Sequence, residues 1–166
     1  VNHAINELKK KKIAIIYQND DYGKGGLTGG ALALEAHGLE FTEAASVNPM
    51  DTDLSSHVLR LKESGAEVVL VYLLPKQAAI TLGTAEKLGF KPGWMCSSTL
   101  SDVPLMHSVT KGLWEGVIFA GFGELPDSDS ELMQKYRAAH QKYAPEEAWG
   151  TFFYAGFLFA EPLVAG

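Results

Sequence analysis

The residues best suited to chemistry lie just past the first apolar run of the chain. Asn19-Asp20-Asp21-Tyr22-Gly23-Lys24-Gly25-Gly26-Leu27-Thr28-Gly29-Gly30 combines paired carboxylates with glycines, and glycines after a first strand can cradle a pyrophosphate at a helix N-terminus. The register does not fit. A dinucleotide fingerprint needs a third glycine where Thr28 stands, and a P-loop closes on Gly-Lys-Ser/Thr rather than on Gly23-Lys24-Gly25. The other use of such glycines is close packing of a helix on a sheet. Asp20 and Asp21 could also hold magnesium in a phosphorylatable receiver site, but that chemistry needs an acceptor Asp at the end of the third strand. That strand runs into Tyr72-Leu73-Leu74-Pro75. The two carboxylates therefore read as solvated caps on the following helix.

The histidines, at positions 3, 37, 57, 107 and 140, never fall at metal-ligand spacing. Ser97, Ser98, Thr99 and Ser101 follow a short strand without a Gly-x-Ser-x-Gly elbow or a nearby His and acid. Cys96 reads as a small buried hydrophobe without an adjacent base. What remains is a ring of polar and aromatic groups at predicted strand ends: Asp20, Asp21 and Tyr22, then Tyr72 and Lys76, then Ser97, Ser98 and Thr99. Tyrosine and hydroxyl groups with little perturbing charge suit binding better than proton transfer. The expectation is a binding protein, not an enzyme, with no cofactor and no metal.

Those groups need elements to hold them. Residues 13–17 form a β-branched apolar run, as a strand covered on both faces does. Residues 23–37 turn helical, with Leu27, Ala31 and Leu34 on one face and Gly38 at the cap position. A weaker strand is predicted over 41–47 and a turn over 48–51. Asp53 heads a helix carrying Leu54, Val58 and Leu61, and Gly65 stops it before a strand at 67–72. Pro75 opens a helix to about Leu88, closed by Gly89 and Pro92. A brief strand at 94–96, an irregular stretch around Pro104, a strand at 116–120, a helix over 130–143 and a last helix from near Trp149 complete the order. Phe152, Phe153, Tyr154, Phe157 and Phe159 in that last helix read mainly as core. Strands alternating with helices predict a three-layer, doubly wound α/β fold with a mainly parallel sheet, and a single domain over 1–166. Ligands of such sheets collect at the carboxyl ends of the strands.

The chain has 166 residues, 46% of them apolar, enough for one sizeable core. Its net charge of -6, with Lys and Arg dispersed, argues against nucleic acid and against an anionic membrane as partner. A lone cysteine excludes an internal disulfide. The polar helical start and the apolar finish point to a piece of a longer polypeptide, with any signal peptide outside it.

Residues 13–25, Ile-Ala-Ile-Ile-Tyr-Gln-Asn-Asp-Asp-Tyr-Gly-Lys-Gly, carry a family resemblance, continued by Asp53-x-Ser55-x-x-Val58-x-x-Leu61-Lys62, Gly65-Ala66-Glu67-Val68-Val69, Ala85-Glu86-Lys87-Leu88-Gly89-Phe90, Gly116-Val117 and Phe152 to Tyr154. In order and spacing the chain resembles the branched-chain amino acid (Leu/Ile/Val) binding proteins, the type I periplasmic receptors that feed ABC importers. The resemblance covers the whole chain and implies the second of two lobes, with the first lobe of the same polypeptide absent. It implies a periplasmic or extracellular location, an ABC-transporter permease as partner and a small-molecule solute clamped between lobes. By position, Tyr22 and Asp21, then Leu74 or Pro75, then Ser97, Ser98 and Thr99 would contact that solute. Amino-acid binders of this type usually carry an acid in the last loop, where this chain has Cys96-Ser97-Ser98-Thr99. An amino acid, a small carboxylic or aromatic acid, and another polar solute all stay open, as does a sensor or regulatory domain of the same fold; a nucleotide-dependent enzyme ranks below both. An isolated lobe would bind weakly and could self-associate through surface its partner lobe normally covers.

Overall fold

The computed structural model describes residues 1–121 and 123–164. The chain runs α1 (Asn2–Asn6), β1 (Ile13–Gln18), α2 (Asp21–Glu35), β2 (Ala44–Val47), α3 (Ser55–Glu63), β3 (Val68–Tyr72), α4 (Pro75–Lys87) and β4 (Gly93–Cys96). A 3-10 turn at Ser98–Leu100 leads to α5 (Val103–Thr110), β5 (Ile118–Phe119), α6 (Glu131–Tyr143) and α7 (Thr151–Val164). All strand pairs are parallel, in the order β2-β1-β3-β4-β5.

The continuous apolar runs of β1 and β3 have their physical cause in this order. The two strands pair with each other from Ile13↔Val68 to Tyr17↔Tyr72, and side chains alternate between two buried faces. Ala14, Ile16, Val69 and Val71 enter the larger core with Val58, Leu61, Ala78, Leu82 and Met106 from α3, α4 and α5. Ile13, Ile15, Val68 and Leu70 enter the smaller core with Ala4 and Leu34 from α1 and α2. Helices α2 and α4, which follow β1 and β3, therefore cover opposite faces. The chain reverses winding direction between those two strands, and open α/β sheets take their ligands at the carboxyl ends beside such a reversal.

Helix α2 sits close because it is glycine-rich on its inner side. A Cβ at Gly23 would lie 1.9 Å from the backbone oxygen of Gln18, and one at Gly26 would lie 2.2 Å from the Tyr72 ring. At Gly25 and Gly29 nothing lies within 4 Å. Asp20 caps α2 by accepting from the Gly23 N–H at 2.9 Å. Gly65 and Gly89 end α3 and α4 at φ of 70° and 63°, a conformation that costs other residues energy.

Several boundaries differ from the sequence expectation. The stretch around Pro104 is helical: Asp102 is its N-cap and Pro104 falls in the first turn, where a missing N–H is harmless. Strand β2 starts at Ala44 rather than near 41, leaving Phe41 to pack on the smaller core. The helix expected over 23–37 begins two residues early, at Asp21, because Asp20 takes the cap. Leu54 is the N-cap of α3, with Asp53 accepting from Ser55 N–H at 2.9 Å just before it. Strand β5 is only two residues long. Helices α6 and α7 make a satellite core of Met133, Tyr136 and Tyr154, apart from the main one. Tyr154 is buried, but Phe152 and Phe159 are 44% and 69% exposed, so α7 is two-faced rather than enclosed. The last two residues of the apolar ending lie outside the described residues.

Candidate functional site

Three neighbouring strand ends lie on one edge of the parallel sheet. Tyr22 comes from the first turn of α2 after β1, Leu74 and Pro75 from the start of α4 after β3, and Ser97 to Thr99 from the 3-10 turn after β4. The Tyr22 hydroxyl lies 2.5 Å from Ser97 Oγ and 2.5 Å from Thr99 Oγ1. Ser97 Oγ and Thr99 Oγ1 are 2.8 Å apart. The Tyr22 ring leans on Tyr72, with centroids 5.8 Å apart. Ser97 is buried, and Tyr22 and Thr99 are half-buried. Thr99 Oγ1 also reaches the Leu73 carbonyl at 3.5 Å, tying the β4 loop to the end of β3.

Proton counting defines what this triad can do. Three hydroxyls hold three protons, whereas their three mutual contacts and the Thr99 bond to the Leu73 carbonyl would use four, so one of these contacts lacks a proton at any moment. Acceptor capacity is left over, and rotating one hydroxyl outward turns a donor toward an incoming oxygen. Burial raises the Tyr22 phenol above its ordinary value, partly opposed by the Ser97 and Thr99 hydroxyls. The phenol is therefore a neutral donor at physiological pH. No histidine or carboxylate hydrogen-bonds to the triad among the described residues, so no base is in place to make a nucleophile. Cys96, next to Ser97, is buried and its thiol is pushed up by desolvation, which holds it in the inert protonated form.

Asp21 and Ser98 lie on the same edge without joining the triad. Asp21 is exposed in the first turn of α2. Ser98 contributes its backbone, its carbonyl accepting from Ser101 Oγ at 2.8 Å. Leu74, 47% exposed, and half-buried Pro75 put apolar groups at the end of β3 on the same edge. Asp20 is occupied structurally: the Gly23 N–H and the Gln18 amide hold its carboxyl below the ordinary range. The backbone around the glycines is likewise engaged, Gly23 N–H by Asp20 and Lys24 N–H by the Asp20 carbonyl. The segment is a packed helix start, not an open phosphate cradle.

Two buried amides escaped the sequence reading. Gln18 and Gln77 are 6% and 3% exposed, and each has an unpaired Oε1. Gln77 Nε2 donates to the Asn48 carbonyl at 2.7 Å. Neither has a local sequence signature, because a glutamine in an apolar strand or in the first turn of a helix is ordinary. Asp102 also went unread, although Ser101-Asp102-Val103-Pro104 carries a cap followed by a first-turn proline.

A parallel five-stranded sheet with its winding reversal between β1 and β3 and neutral hydroxyls gathered at its carboxyl edge has the layout on which α/β folds bind ligands. A family profile described as periplasmic binding protein matches residues 1–166, and the chain belongs to that family, alongside the Leu/Ile/Val-binding proteins of type I. Leu/Ile/Val-binding protein homolog 8 of Brucella abortus is 32% identical over 140 residues, spanning 80% of this chain and 35% of that protein. Among solved structures, a fatty acid ABC transporter substrate-binding protein from Thermomonospora curvata superposes with a TM-score of 0.81 at 27% identity, covering 92% of this chain and 39% of that one. A branched chain amino acid ABC transporter from Thermus thermophilus with bound valine gives 0.76 at 20% identity, covering 86% and 37%. The chain thus spans well under half the length of the proteins it matches. Those proteins are named for binding, not for catalysis. No helix among the described residues is long and apolar enough to cross a membrane.

Proposed function

We propose that this chain is the second ligand-binding lobe of an extracytoplasmic solute receptor, taking a small polar solute such as an amino acid or a small carboxylic or aromatic acid for an ABC importer. The Tyr22–Ser97–Thr99 triad at the carboxyl edge of the sheet is the observation that carries this reading. Tyr22 and Ser97 hydrogen-bond the polar end of the solute, Thr99 relays to the Leu73 carbonyl, and Leu74 and Pro75 pack its apolar part. Ser98 and Asp21 shape the rim. Bringing a first lobe down on this edge desolvates the solute and completes its contacts, and the closed form is what a permease recognises. The absence of an acid in the triad disfavours a ligand held here by its ammonium group, because a buried cation needs a paired anion. A carboxylate or a neutral polar end is satisfied by hydroxyls alone.

The test is a thermal-shift screen of amino acids, aliphatic acids and aromatic acids against the wild-type chain and the Tyr22→Phe and Ser97→Ala variants. One chemical class should raise the wild-type melting temperature, and both variants should lose the rise. A rise that survives in both variants contradicts the assignment of this edge.

A further inference from the structure

Asp102 stands where the candidate ligand loop ends, and it touches two helices at once. It is 6% exposed. Its Oδ1 accepts from the Leu105 N–H at 3.1 Å, in the first turn of α5. Its Oδ2 accepts from the Phe152 N–H at 3.2 Å, in the first turn of α7. One carboxylate therefore serves the positive ends of two helices distant in sequence. The fit allows little else beside it, since a Cβ at Gly150 would lie 2.3 Å from Oδ2. Adjacent to it, Thr151 Oγ1 donates to the Ser101 carbonyl at 3.1 Å.

The same segment reaches back to the triad. Ser101 Oγ and Ser101 N–H both donate to the Ser98 carbonyl, at 2.8 and 3.1 Å, and Leu100 N–H donates to Ser97 O at 3.1 Å. Ser97 Oγ is bound to Tyr22. An unbroken run of hydrogen bonds and one tight turn thus leads from the Tyr22 hydroxyl to the start of α7. Helices α6 and α7 otherwise pack in a core of their own.

We propose that Asp102 is a positioning residue that ties the Ser97–Ser101 turn to α7, so that a change in the hydroxyl triad is felt at the α7 start. Its use in solute capture rests on the function proposed above: opening the triad around a solute oxygen would shift the turn and, through Asp102, the satellite layer. The tie itself is measurable without any solute, so its failure is separable from failure of the binding reading.

The experiment is amide NMR with hydrogen exchange on the whole chain in a double-variant cycle. Tyr22→Phe disturbs the triad, and Asp102→Asn removes one of the two carboxylate acceptors. Gly150→Ala pushes α7 off Oδ2 with the carboxylate left in place, and carries the same comparison should Asp102→Asn fold poorly. In the wild-type background Tyr22→Phe should shift the Thr151 and Phe152 amides and speed Phe152 exchange by about fivefold, the effect of a weakened helix cap. In the Asp102→Asn or Gly150→Ala background, adding Tyr22→Phe should leave the Phe152 amide where it is, while Thr151 keeps its own bond to the Ser101 carbonyl. A simple local cap would not transmit the Tyr22 change. Unmoved α7 amides in the Tyr22→Phe single variant, or an undiminished Phe152 shift in the double variants, would overturn the proposal.

Discussion

Neighbouring glycines of α2 should respond to alanine with opposite sign. At Gly25 an added Cβ meets nothing within 4 Å, so Gly25→Ala should stabilise by about 0.5–1 kcal/mol through helix propensity and reduced freedom of the unfolded chain. At Gly26 the same methyl lies 2.2 Å from Tyr72 Cδ1, whereas carbon contacts relax to about 3.5–4.0 Å. The ring must move by more than an ångström or α2 must lift. Overpacking of that kind costs about 1–3 kcal/mol, from which the propensity gain is subtracted. The propensity gain is common to both, so Gly25→Ala and Gly26→Ala should differ by the overpacking cost, about 1–3 kcal/mol in stability. Gly23→Ala should be worse than either, because its Cβ meets Gln18 backbone at 1.9 Å, in a strand that cannot swing aside. Urea unfolding followed by tryptophan fluorescence measures this, reading midpoints at constant slope. Equal effects at Gly25 and Gly26, or a neutral Gly23→Ala, would refute the packing role and reopen the segment as a ligand-binding loop.

Alkaline titration should separate the six tyrosines. Burial raises Tyr22 and Tyr154, and burial with Glu161 pushes Tyr136 up to about 12. A raised folded value means protons held more tightly when folded, so stability should be level below the ordinary tyrosine value and fall as pH rises above it. Tyrosinate absorbance should show late-titrating groups, with Tyr22→Phe removing one; ordinary titration of all six would count against the buried triad. On the acid side Asp20 is held below its ordinary value by Gly23 N–H and the Gln18 amide. Its contribution is present above the ordinary carboxylate value and lost as pH falls from there through the lowered folded value. Asp20→Asn keeps an acceptor for Gly23 but not the charge, so it should flatten the acid limb of urea midpoint against pH. Cys96 should react with a thiol reagent only at the rate of unfolding; fast labelling of native protein would mean that the β4 end is open.

The sequence was most legible where one physical requirement dominated. Residues 13–16 and 68–71 had to be apolar on both faces, and that revealed two central parallel strands. Gly65 and Gly89 marked helix ends because few other residues tolerate their φ. Short edges were harder: β2 and β5 are set by pairing to β1 and β4, not by their own pattern, and both came out shorter than expected. Helix α5 was hidden by Pro104, which reads as a breaker unless the Asp102 cap before it is noticed. Tyr22, Ser97 and Thr99 could be placed on one edge by strand order. That their hydroxyls close into a triad, while Asp21 and Ser98 stay outside it, depends on helix phase and on a 3-10 turn that no periodicity announces. Asp102 needed Phe152, a partner across the sequence, to show its second role.

The most direct measurement is an amide NMR titration of this chain with aliphatic acids, aromatic acids and amino acids to high millimolar concentration, where the weak binding expected of half a clamp is still visible. Saturable shifts centred on Tyr22, Ser97 and Thr99 are expected with one of these classes, and none with nucleotides. Silence at those three amides for every class, or saturable shifts along the glycines of α2 with a nucleotide, would contradict the binding reading.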